Sequence, residues 1–127
     1  MGLPRAVALV PGGNPRAGVS TSNDDRIGAV FSALADPTRR RVVTRMAQGG
    51  PLTASQLASN LPVSRQAVVK HLQALGQAGL VSAERRGREV QYRLDPTPLV
   101  GARSWMDAIG ARWDSRLEAL RRHVSAR

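Results

Sequence analysis

When residues 64–79 are wound at about 100° per residue, Gln66, Lys70, Gln73 and Gln77 line one side and Val68, Leu72 and Leu75 the other. The polar stripe carries long hydrogen-bonding side chains and no carboxylate. Such groups suit base edges: a glutamine amide pairs with adenine N6 and N7, and a lysine reaches guanine O6 and N7 or a phosphate. Arg65 stands in the first turn, and Val69 flanks the stripe where a thymine methyl could be met. A plain solvent face would ordinarily mix glutamate with lysine, and this one does not. The chemistry that fits is recognition of double-stranded DNA. A second basic element follows at Arg85-Arg86-Gly87-Arg88, three guanidiniums around one glycine. Arginines there could lie over phosphate or enter a minor groove. A charged tip also keeps a strand edge soluble, and that plainer reading stays open.

The distribution of charge points the same way. The chain has 127 residues, 19 basic against 9 acidic, for a formal net charge of +10. Lys70 is the only lysine. No carboxylate occurs between Asp36 and Glu84, a stretch that holds Arg39, Arg40, Arg41, Arg45, Arg65 and Lys70. A surface that meets polyphosphate gains from that absence, because each carboxylate would oppose counterion release. Cysteine is absent, which excludes disulfides, thiolate metal sites and cysteine nucleophiles. Four aromatics (Phe31, Tyr92, Trp105, Trp113) are too few for a base-stacking platform. The longest apolar run, Ala6 to Val10, is far short of a membrane span and of a signal-peptide core. A soluble, cytoplasmic protein with no membrane partner is expected.

The elements that must position these residues can be read in order. Residues 1–23 are rich in Gly, Pro, Ser and Asn and read as a flexible leader. Ile27, Val30, Phe31 and Leu34 then follow helical spacing from Asp24. Asp36-Pro37 opens a second helix to about Ala47, with Asp as N-cap and Pro in the first turn. Thr53 to Gln56 fits a capping box for a short third helix. Ser64 caps the fourth, and Gly79 suits its left-handed stop. Strands are predicted over Val81–Arg85 and Glu89–Leu94, and Asp95-Pro96 ends the sheet. A last helix from about Ala102 to Val124 aligns Met106, Ile109, Trp113, Leu117, Leu120 and Val124. The expected fold is mainly α with a small β-hairpin, in the order α-α-α-α-β-β-α. Its parts are a leader (1–23), a winged helix-turn-helix DNA-binding domain (24–96) and a C-terminal dimerisation helix with a short tail (97–127).

Leu34-Ala35-Asp36-Pro37-Thr38-Arg39-Arg40, Pro62 through Leu72, and Gly87-Arg88-Glu89-Val90-Gln91-Tyr92-Arg93-Leu94 together resemble an ArsR-type winged helix-turn-helix repressor. The likeness spans roughly residues 25–125. It implies a homodimer held by the first and last helices, with paired reading helices in successive major grooves of an inverted-repeat operator. Carried over by position, Ser64, Arg65, Gln66, Val69, Lys70 and His71 match the family's DNA-reading segment. Arg86 and Arg88 match its wing, with Tyr92 a third candidate there. Gln73 joins the set from the rotation alone. His71 sits at the margin of the apolar face, so a packed or capping histidine competes with a phosphate contact.

The metal-sensing half of that template is missing. Ala58 and Asn60 stand where metal-sensing relatives carry thiolates. Another subgroup's last-helix pattern, laid on Asp107, meets Ile109 and Leu120 and finds only His123 at its end. No metal and no cofactor are expected. Nor does any nucleophile, base and orienter combination support an enzyme. The apolar residues of the first and last helices read as a dimer interface: Ile27, Val30, Phe31, Leu34, Trp105, Met106, Ile109, Trp113, Leu117 and Leu120. A small apolar effector could also seat near Trp105, Met106, Ile109 and Trp113, although nothing else in the sequence supports one. Two rival readings remain: a sequence-indifferent architectural DNA-binding protein, and a protein-interaction module acting through its last helix.

Overall fold

A computed structural model describes the backbone of residues 5–7 and the chain from 22 to 125. Five helices and four strands follow one another: β1 (Arg5–Val7), α1 (Asn23–Leu34), α2 (Pro37–Ala47), β2 (Leu52–Thr53), α3 (Ala54–Ala58), α4 (Arg65–Gln77), β3 (Val81–Arg86), β4 (Glu89–Leu94) and α5 (Thr97–Ser125). The expected order therefore gains two strands. Leu52–Thr53 pairs antiparallel with Gln91–Tyr92, and Arg5–Val7 pairs antiparallel with Ala83–Arg85. The sheet order is β1-β3-β4-β2, with the hairpin at its centre. Part of the segment expected to be irregular thus forms an edge strand, and the rest of the leader lies outside the described residues.

Local chemistry explains where each helix begins. Ser22 caps α1, its hydroxyl accepting from the Asp25 N–H at 3.1 Å. Asp36 caps α2 by accepting from the N–H groups of Thr38 (2.8 Å) and Arg39 (3.1 Å). Thr53 and Gln56 form a reciprocal capping box on α3. Gly79 takes φ +77 just past α4, and Gly87 takes φ +63 at the hairpin tip, where β-carbons would be strained.

The last helix starts at Thr97, not near Ala102. Asp95 accepts from the Thr97 N–H at 3.0 Å, and Pro98 is tolerated because first-turn N–H groups have no intrahelical partner. Pro98 and Gly101 weaken the helical signal in sequence without preventing the helix.

Leu57, Leu72, Leu75, Leu80, Val30, Val42 and Val68 are fully buried and form the centre of one core beneath the sheet. No helix among the described residues is long and apolar enough to cross a membrane.

Candidate nucleic-acid interface

Leu57 of α3 and Val68, Leu72 and Leu75 of α4 anchor the two helices to this core. That anchoring fixes the rotation of α4. Arg65, Gln66, Lys70, Gln73 and Gln77 are all exposed on its outer face. Ser64 starts the helix by accepting from the Ala67 N–H at 3.1 Å, and so holds its amino-terminal end in register with the turn. Arg65 reaches back, its Nε donating to Ser55 Oγ at 3.2 Å, which ties the start of α4 to α3. Val69 is half-buried and packs partly on the core. The outer stripe carries donors and acceptors for base edges and no negative charge.

Two sequence-based assignments change. His71 is half-buried on the side of α4 that meets α2, where its Nδ1 accepts from Arg39 Nε at 3.4 Å. It belongs to the packing between α2 and α4, so it is withdrawn as a DNA contact. Tyr92 is buried in the core, with Ala83 opposite it on β3 and Leu52 on β2. A small residue across the strand makes room for the ring, and alternation along β4 turns it inward. It too is withdrawn from the DNA-facing set.

At the wing, β3 and β4 pair from Val81↔Leu94 to Arg86↔Glu89, so Gly87 and Arg88 form a two-residue turn. Glycine with positive φ at the first central position suits the type II′ geometry that such hairpins favour. Arg85, Arg86 and Arg88 are exposed. Arg86 lies 3.9 Å from the Glu84 carboxylate, a contact open to solvent. Arg85 was not among the predicted contacts, although the Arg-Arg-Gly-Arg run already pointed to it.

The predicted pairing residues divide. Ile27 and Val30 are buried against the chain's own helices, and Leu34 is half-buried on the core, because α1 packs on α2, α4 and α5 at once. Phe31 instead lies at the surface, its ring 5.8 Å from that of Trp105 in an edge-on arrangement. Trp105, Met106, Ile109, Trp113, Leu117 and Leu120 are all exposed along α5, with Trp113 at 59% of its accessible area. Among the described residues, no three His, Asp or Glu side chains come together as metal ligands would.

Comparison with known proteins agrees with this geometry. A helix-turn-helix domain model matches residues 34–82. The chain is 46% identical over 82 residues to the HTH-type transcriptional regulator Rv2034 of Mycobacterium tuberculosis, covering 65% of this chain and 76% of that one. It is 36% identical over 77 residues to the transcriptional repressor SdpR of Bacillus subtilis, 61% of this chain and 84% of that protein. Among solved structures, an ArsR-like transcriptional regulator from Rhodococcus sp. RHA1 superposes with a TM-score of 0.69 at 40% identity, over 80% of this chain and 95% of the other. The chain belongs to the ArsR family. It is a DNA-binding transcriptional regulator with the family's winged helix-turn-helix fold. A further neighbour is described as the homodimeric winged helix-turn-helix DNA-binding domain Mb0332 of Mycobacterium bovis. It aligns at 26% identity and a TM-score of 0.56, over 75% of this chain and 85% of that one.

Proposed function

We propose that this ArsR-family protein is a homodimeric, cytoplasmic repressor that reads an inverted-repeat operator through α4, with the arginine-tipped β3–β4 hairpin as its wing. The observation that carries the reading is the outer face of α4. Gln66, Lys70 and Gln73 stand exposed on a helix whose opposite face is locked into the core, with Arg65 at its start. Rigid placement is what base readout needs, because bidentate pairing tolerates little misalignment. Arg85, Arg86 and Arg88 supply sequence-independent contacts to phosphate or the minor groove. The exposed apolar row on α5, with Phe31 beside it, supplies the second copy's seat. Two-fold symmetry then sets the reading helices about 34 Å apart, one turn of duplex.

Selection of bound sequences from a random duplex pool tests specificity, symmetry and half-site spacing together. The expected product is an inverted repeat, preferred about a thousandfold or more over random duplex. Gln66→Ala and Lys70→Ala should each lose roughly 1–3 kcal/mol on the selected site and far less on random DNA. Equal losses on both would remove Gln66 from readout. A selection without any consensus would favour the architectural reading instead.

A further inference from the structure

Arg39, Arg40 and Arg41 are consecutive on α2, yet they have different surroundings. Arg39 donates to His71. Arg40 Nη1 donates to the carbonyls of Leu34 (2.7 Å) and Ala35 (3.1 Å), closing the end of α1. Arg41 is exposed, and among the described residues no hydrogen bond or ion pair holds its guanidinium. Arg45, one helical turn on, is half-buried, and among the described residues no hydrogen bond or ion pair holds its guanidinium either. Two like charges at i and i+4 disfavour a helix unless an anion lies between or over them.

These arginines line a groove of about 440 Å³ with Thr44, Gln48 and Asn60. Asn60 belongs to the turn between α3 and α4, four residues before the cap of the reading helix. The groove lies within the acid-free stretch between Asp36 and Glu84. It therefore offers two guanidiniums and the two amides of Gln48 and Asn60 to a ligand, with no carboxylate in its lining, while the Thr44 hydroxyl already donates to the Arg40 carbonyl.

We propose that this groove grips the DNA backbone: Arg41 and Arg45 each hold a phosphate of the same duplex that α4 reads, beside the turn that launches α4. The inference deepens the DNA-binding reading and adds a third phosphate-contacting element to the reading helix and the wing. Guanidinium forks match phosphate oxygens in geometry as well as charge.

The test is a salt series of binding to a duplex selected from a random pool and to a random duplex of equal length. On the proposed dimer the Arg41→Ala/Arg45→Ala double variant removes four phosphate contacts and should reduce the slope of log K against log salt by about 3.6, about 0.9 per phosphate. Affinity should fall roughly tenfold or more on both duplexes alike. Arg41→Lys/Arg45→Lys should keep most of the slope. A thermal melt accompanies each variant; if the double variant melts early, Arg41→Ala alone decides, with a slope change of about 1.8 for the dimer. An unchanged slope and affinity, while Arg88→Ala lowers both, would overturn the groove's role and leave the reading helix in place. Inorganic phosphate that shifts the Arg41 and Arg45 resonances, with the slope unchanged, overturns it too and marks a small-anion site. Failure of the unaltered protein to retard any duplex would instead remove the DNA-binding reading itself.

Discussion

The segment from α1 to β4 and the distal part of α5 follow opposite rules. In the first, every helix and both long strands place at least one buried side chain in a shared core, and apart from Phe31, which meets Trp105 of α5, no large apolar side chain there is exposed. In the second, Ala102 is the only buried residue of a 29-residue helix, and every position from 103 to 125 is exposed. Yet that exposed length carries Trp105, Met106, Ile109, Trp113, Leu117, Leu120 and Val124 at helical spacing. A solvated helix has no use for such a row, and a contiguous apolar face of this extent marks an interaction surface. The first region is complete as a monomer; the second is half of something. Folding of the core is therefore separable from whatever covers the α5 face, and the proposed recognition of an inverted repeat would depend on that second part.

The most direct way to break that comparison is to charge the α5 face. Trp113→Asp combined with Leu117→Asp should give a monomer by light scattering. The melting of the core should be nearly unchanged, because neither side chain reaches it. Affinity for a two-half-site duplex should fall by roughly two to four orders of magnitude, the usual gain from linking two binding modules. Binding to a single half-site should hardly move. A variant that stays dimeric would place the pairing surface elsewhere.

A smaller effect sharpens the picture within the first region. Arg86 faces Glu84 at 3.9 Å, whereas Arg88 has no acidic partner among the described residues. Exposed pairs of this kind are worth little, so Glu84 holds Arg86 weakly but still opposes a phosphate. Arg88→Ala should cost more affinity than Arg86→Ala on any duplex, each lowering the salt slope of the dimer by about 1.8, about 0.9 per wing. Glu84→Gln should tighten binding a few-fold. Salt titrations of the three variants check the order, and a slope untouched in both arginine variants would leave the hairpin tip with only a solubilising part.

What could be read from sequence was whatever depends on neighbours along the chain. The Thr53–Gln56 box, the Asp36 and Ser64 caps and the left-handed stop at Gly79 all involve residues within a few positions of one another. The outward stripe of α4 follows from helical rotation once Val68, Leu72 and Leu75 are seen to be apolar. Contacts between distant segments were not legible. Arg39 and His71 are 32 positions apart, and nothing local says that one donates to the other. Tyr92 alternates correctly with Gln91 and Arg93, but which face meets the core depends on Ala83 and Leu52 across the sheet. The same holds for Ile27 and Val30, whose spacing shows an apolar face without saying what covers it. Strands of two or three residues, such as Leu52–Thr53, are too short to show any alternation.

The smallest expected effect compares how the two regions are started. Asp36 opens α2 in the core region, and Asp95 opens α5. The backbone N–H of Arg39 holds the Asp36 carboxyl below its ordinary value of 3.8, helped by the N–H of Thr38 and the positive charge nearby, against some desolvation. Asp95 is lowered by its side-chain and backbone hydrogen bonds to Thr97, again against some desolvation. A carboxyl whose pKa is depressed by folding stabilises the native state above its ordinary value. That contribution is lost as the pH falls from there through the lower folded value, because the unfolded chain takes up the proton first. Asparagine is nearly as good a cap and does not titrate there. Asp36→Asn should therefore flatten the acid limb of the melting temperature against pH, since α2 belongs to the cooperative core. Asp95→Asn should alter the limb less and act chiefly on amide exchange in the first turn of α5. If both variants track the unaltered protein down the acid limb, neither cap is coupled to folding. If Asp95→Asn flattens it as much as Asp36→Asn does, the start of α5 melts with the core that buries Ala102, and only the helix beyond Ala102 stands apart.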